Sequence, residues 1–152
     1  MLRVVQDDWE TQRCTDWLAR LDEAVELAGP QVVLVAHSLA CALVARWAAV
    51  DPHRCVRGAL LVAPADPSAT SFPSGAHGFA PMSMRRLGFR SVVVASTNDL
   101  FVTVERAEAF ATAWGSAFVD VGNAGHINGA SGFGDWPQGL ALLRGLQSAS
   151  EI

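Results

Sequence analysis

The sequence predicts an α/β fold, a three-layer sandwich with a mainly parallel sheet of about five strands flanked by helices. Three observations lead there. β-branched runs alternate with helical apolar patterns along the chain, and that alternation builds parallel βαβ units. Of all residues 51% are apolar and only 17% are charged, which suits a sheet covered on both faces. The length of 152 residues is enough for a substantial core, so one domain over residues 1–152 is expected.

Taken in order, the first β-branched run is residues 2–6. A helix is expected over 13–28, where Trp17, Leu21, Ala24, Val25 and Ala28 share one face and Gly29-Pro30 ends the pattern. Residues 32–36 read as the second strand. The stretch 39–50 is apolar nearly all round, which predicts a buried helix stopped at Asp51-Pro52. Strands follow at 59–63, 91–96 and 117–121, and helices at 104–114 and 136–147. Between the third and fourth strands lies a segment, 64–90, rich in Pro, Gly, Ser and Ala. An irregular segment of that length is a lid or is disordered. It leaves the carboxyl end of a strand, the side on which α/β proteins bind ligands. Phe72, Phe79, Pro81 and Met82 within it either line a small acyl pocket or pack the loop itself, and packing is the plainer reading.

Charge and composition exclude several classes. A net charge of −4 offers no basic patch for nucleic acid. The longest uncharged apolar run, from Val32 to Ala45, crosses His37 and Ser38 and is too short to span a bilayer. The first residues lack a signal peptide's apolar core and cleavage site. Cys14, Cys41 and Cys55 form no CxxC pair and leave an odd thiol, which points to reduced cysteines in a cytoplasm. Cys41, one helical turn after Ser38, reads as a buried structural thiol. The four histidines show no metal-ligand spacing, so neither metal nor cofactor is expected.

The chemistry concentrates where the strand at 32–36 meets the helix at 39–50. Ser38 sits at that corner, and a serine so placed is lifted off the sheet with Oγ in the crevice above the strands. The usual pattern is Gly-x-Ser-x-Gly; here Ala36 and Ala40 occupy the glycine positions. By itself the corner has two readings, a nucleophile or a serine capping a core helix. Further along, Asp99 follows the strand 91–96 and His126 follows the strand 117–121, which puts both on Ser38's rim of the sheet. Nucleophile, acid, histidine is the chain order of α/β hydrolases. Asp99 has a plainer reading as a cap for the helix near Val104, and His126 as an exposed loop residue. His37 should point away from the crevice and serve packing or hydrogen bonding. His53 and His77 have no strand-end address.

Asp7-Asp8-Trp9, Ala36-His37-Ser38-Leu39 and Gly125-His126-Ile127-Asn128, with Ser131-Gly132 and Gly134 to Trp136-Pro137 and Gly139, resemble the small serine hydrolases related to retinoblastoma-binding protein 9 and bacterial YdeN, within the α/β-hydrolase superfamily. The likeness runs from about Arg3 to near Leu146. It implies Ser38 as nucleophile, Asp99 as acid and His126 as general base, and it marks the Asp7-Asp8-Trp9 motif as a structural family feature. Those relatives carry a further strand and a glycine-rich loop upstream of this motif. An oxyanion hole takes one N–H from the residue after the nucleophile, here Leu39, and one from that loop. In the relatives the further strand lies between the equivalents of 2–6 and 32–36, so here residues 2–6 must pair directly with 32–36, pair elsewhere or fray. The reading frame is expected to continue upstream, the alternatives being a fragment and a degenerate gene.

The expected activity is hydrolysis of small esters or activated acyl compounds through an acyl-enzyme, with a small acyl or ester substrate as the partner and neither nucleic acid nor membrane. A second reading is a weakly active or inactive hydrolase fold that binds a protein or small ligand. A third is an amidase or peptidase on the same scaffold, which demands more of the oxyanion hole. An exposed sheet edge would also favour self-association.

Overall fold

Four short apolar runs pair side by side into one parallel sheet. The computed structural model describes residues 1–51 and 56–148, so His53 and Cys55 lie outside the described residues. In chain order the elements are α1 (Cys14–Ala28), β1 (Val33–His37), α2 (Leu39–Val50), β2 (Gly58–Val62), β3 (Ser91–Ala95), α3 (Val104–Trp114), β4 (Ala117–Asp120) and α4 (Pro137–Ser148), with a 3-10 turn at Gly129–Ser131 before α4. The strand order is β1-β2-β3-β4 and every pairing is parallel. The helices and four strands thus fall within a residue or two of the expected positions.

Alternation along the strands decides which helix covers which face. Ala59, Leu61, Val93 and Ala95 join a large core with residues of α1, α2 and α3, including Trp17, Trp47, Phe110 and Trp114. Leu60, Val62 and Val94 face the other way, against Leu146 of α4 and the loop residues Ala124 and Ile127. Three layers result. The two central strands are buried on both faces, and β2 is buried throughout, as parallel sheets require. Helix α3 is bounded as its sequence dictates: Thr103 caps the start by accepting from the Arg106 N–H, and Gly115, at φ 70°, closes the end.

Residues 2–6 correct the expected strand count. They form no strand; Val4 packs on the large core and the Gln6 Oε1 is buried with no hydrogen-bond partner among the described residues. An extended run becomes a strand only with a ladder partner, and this one has none. Among the described residues the sheet therefore has four strands, with β1 at its edge.

Segment 64–90 is not loose but packs on the body of the fold. Phe79, Met82 and Leu87 are buried in the large core, and Phe79 meets Trp17 edge-on at 5.8 Å. The Trp114 Nε1–H donates to the Ser83 carbonyl at 2.7 Å, and the Arg46 guanidinium donates to the Pro81 carbonyl at 2.9 Å. Its aromatic and apolar side chains thus pack the segment down. A surface depression lined by Arg46, Val50, Pro81 and Met82 lies toward the far end of α2 from Ser38.

The edge of β1 carries no charge, and Val35 on it is 56% exposed. Uncharged apolar edges pair with other chains. Sedimentation velocity of this 152-residue chain is expected to show concentration-dependent self-association that Val35→Lys suppresses. A monomer at every concentration would contradict it.

Candidate active site

The corner between β1 and α2 holds Ser38 at φ 58° and ψ −120°. A residue other than glycine held in such a region costs of order 1–3 kcal/mol, which the surroundings must supply. The Ser38 N–H donates to the Val62 carbonyl at 2.9 Å, and the Ser38 carbonyl accepts from Cys41 at 3.0 Å and Ala65 at 3.3 Å. Small neighbours allow this close turn, Ala36 being 4% exposed. Cys41 is fully buried with its thiol against the Ala36 and Val62 carbonyls. Burial pushes that thiol far above the usual range, so it is inert packing.

Parallel strands deliver their carboxyl ends to one rim, and there the three expected residues meet. The His126 Nε2 lies 2.8 Å from Ser38 Oγ. Its Nδ1 lies 2.8 and 2.9 Å from the two Asp99 oxygens. An ionised carboxylate only accepts, so Nδ1 carries the proton and Nε2 presents its lone pair to the serine hydroxyl. The Asp99 side chain is fully buried and that of His126 is 14% exposed, so the contacts work at reduced dielectric. Asp99 does not cap α3, since Thr103 does; its Oδ1 instead accepts the Phe101 N–H at 2.8 Å.

Around this line of three, polar groups fix the loops. Ser96, fully buried, donates to Asn98 Oδ1 at 2.9 Å and accepts from the Ala124 N–H at 3.0 Å. Asn98 Oδ1 also accepts the Gly125 N–H at 2.7 Å. The loop after β3 is thereby stitched to the loop bearing His126, where Gly125 and Ile127 both have positive φ and Ile127 is anchored in the smaller core. His37 takes the hydrogen-bonding role expected of it, its Nε2–H donating to the His126 carbonyl at 2.8 Å, but its ring lies beside the imidazole of His126, 4.8 Å between centroids. Desolvation of that ring pulls its pKa below the ordinary value, against the carbonyl bond that raises it. The Phe101 ring sits 4.5 Å from the imidazole. Sequence reasoning missed Ser96, Asn98 and Phe101; the run of polar residues from Ser96 to Asp99 just past a strand was the available signal.

Leu39 supplies the first amide of α2, and first-turn amides lack intrahelical acceptors. Its N–H, at the positive end of the helix dipole beside Ser38, suits a developing negative charge. The N-terminal motif packs as expected. Asp8 Oδ1 accepts from the Glu10 and Thr11 N–H groups, Trp9 meets Trp17 edge-on at 5.4 Å, and Asp7 pairs with Arg20. Among the described residues no His, Cys, Asp and Glu cluster could hold a metal ion, and no helix is long and apolar enough to cross a membrane.

Fold and site together define a serine hydrolase of the α/β-hydrolase superfamily. Residues 1–145 match the family model described as serine hydrolase, and the chain belongs to that family. It is similar to a protein described as a YdeN-like hydrolase from Pectobacterium atrosepticum, with 29% identity, TM-score 0.80, and coverage of 95% of this chain and 75% of that one. The ydeN gene product from B. subtilis shares 23% identity over 91% of this chain and 77% of its own, with TM-score 0.71. A monoacylglycerol lipase from Paleococcus ferrophilus, 14% identical, shares the fold at TM-score 0.70, over 92% of this chain and 77% of that one. No curated protein sequence matches.

Proposed function

We propose that this chain hydrolyses small esters or other activated acyl compounds through an acyl-enzyme on Ser38. The observation that carries the reading is the continuous line from Ser38 Oγ through both imidazole nitrogens of His126 to the buried Asp99 carboxylate. Ser38 Oγ attacks the acyl carbonyl as His126 Nε2 takes its proton. Asp99 holds the ring with Nδ1 protonated and stabilises the imidazolium. The Leu39 N–H donates to the oxyanion, and His126 returns the proton to the leaving alkoxide. Water, deprotonated by the same nitrogen, then releases the acid. Esters are favoured over amides because their leaving groups need less protonation. The free, buried thiols of Cys14 and Cys41 support a reducing, cytoplasmic setting.

The test is a fluorophosphonate probe on the purified chain, with the adduct located by mass spectrometry, followed by paired ester and anilide substrates. Labelling of Ser38 that vanishes in Ser38→Ala, with ester turnover far above anilide turnover, is the expected result. A folded chain that takes no label would sink the proposal and favour a binding role for the fold. Equal anilide turnover would instead favour an amidase.

A further inference from the structure

We propose that Asp66 and Arg106 are positioning residues of this site, clamping the Asp99 loop through Phe101. The inference rests on Ser38 being the acylated residue. Asp66 lies past β2, in Ala63-Pro64-Ala65-Asp66-Pro67, a run that is buried end to end. Its backbone reaches two parts of the site at once. The Ala65 N–H donates to the Ser38 carbonyl at 3.3 Å and the Asp66 N–H to the Phe101 carbonyl at 3.0 Å. Phe101 is thus held on both sides, because its own N–H donates to Asp99 Oδ1 while its ring lies against His126. Moving the 65–66 segment moves the acid and one wall of the base together.

What holds that segment is an ion pair. The Asp66 side chain is 8% exposed, and its Oδ2 accepts from Arg106 Nε at 2.7 Å. Its Oδ1 accepts from Arg106 Nη2 at 3.3 Å and from the Ser68 N–H at 3.0 Å. Two-pronged guanidinium–carboxylate contact fixes orientation as well as distance. Arg106 is itself fixed, in the first turn of α3 with its N–H on the Thr103 cap and its guanidinium 4.7 Å over the Phe110 ring. The pair therefore ties the strap after β2 to α3, and Phe101 is bonded to that strap through the Asp66 N–H. Burial would raise the Asp66 pKa, but the Arg106 and Ser68 bonds outweigh it and hold the carboxyl below its ordinary value. A depressed carboxyl pKa stabilises the fold at all pH above the unfolded value of 3.8, and this is lost only as pH falls through the folded value. The clamp is thus charged at every pH above that range, and labelling needs the unprotonated Nε2 of His126, whose ring faces Asp99 and His37.

The experiment measures the rate of fluorophosphonate labelling of Ser38 against pH, with melting temperature alongside, for Arg106→Met, Arg106→Lys, Asp66→Asn and the Arg106→Met/Asp66→Asn double variant. Small displacements of reacting groups cost up to about a hundredfold. R106M and D66N are expected to label about tenfold or more slowly. Their acid limb should move to lower pH, because a misplaced Asp99 stabilises the imidazolium less. R106K, which keeps the charge but not the fork, should fall between. The double variant should be no worse than the worse single one, as for two parts of one device. Wild-type rate and profile in folded R106M would overturn the proposal, and so would slower labelling with an unmoved acid limb, the mark of a merely structural pair. Failure of the wild type to label would instead count against the acyl-enzyme reading.

Discussion

Asp99→Asn is expected to lower ester hydrolysis and Ser38 labelling by about 10⁴-fold while leaving the melting temperature nearly unchanged. The asymmetry follows from what Asp99 bonds. Its Oδ1 accepts the Phe101 N–H, and an asparagine carbonyl can keep that bond, so the loop keeps its shape. Its other partner is His126 Nδ1, to which a carboxylate can only act as acceptor. An asparagine amide turned toward that nitrogen donates, so the ring must give up its proton there and carry it on Nε2. The protonated Nε2 then faces Ser38 Oγ and cannot take the serine's proton. His126→Ala removes the base outright and is expected to cost as much or more, and the double variant no more than the worse single one, because the groups act as a unit. Steady-state ester kinetics and labelling rates check this directly. If D99N stays within a few-fold of wild type, Asp99 does not orient the base, and the buried contact has another purpose.

That site was legible because its parts obey local rules. Each residue follows a β-branched run, and parallel strands bring all their carboxyl ends to one rim, so chain order alone predicts proximity of Ser38, Asp99 and His126. The helices were readable for similar reasons, with Gly29 and Asp51 marking two of their ends. Residues 2–6 failed because strand character is shared: a β-branched run says nothing about whether a neighbour offers a ladder. Segment 64–90 failed differently. Its course is set by single long-range bonds, such as Trp114 to Ser83 and Arg46 to Pro81, and no periodicity encodes those. The Asp66–Arg106 contact spans 40 positions and is invisible for the same reason, although an aspartate beside a strand's carboxyl end was there to be weighed.

Two glycines of α4 are expected to respond to alanine with opposite sign. Alanine favours a helix interior over glycine by about 1 kcal/mol, so propensity alone predicts that both Gly139→Ala and Gly145→Ala stabilise. Gly145 is exposed and a Cβ there would meet nothing within 4 Å, so G145A should gain about 0.5–1 kcal/mol. Gly139 is buried, and its Cβ would fall 2.5 Å from Cζ3 of Trp136 and nearer still to Cε3 and Cδ2. The indole has little freedom to yield. It packs on the smaller core, stacks on Phe133 at 5.7 Å, and stands on a backbone at φ 42°. Overpacking of this kind costs about 1–3 kcal/mol and sometimes more, so G139A should lose about 2 kcal/mol net, read as a lower urea midpoint. The same cluster contains Ala124 and Ile127, which flank His126 in the chain. A displaced Trp136 should therefore slow labelling of Ser38 as well, whereas G145A should leave labelling unchanged. A neutral or stabilising G139A would mean that the indole moves aside freely, and that the loop carrying the base is braced by the Ser96 and Asn98 bonds rather than by the face of α4.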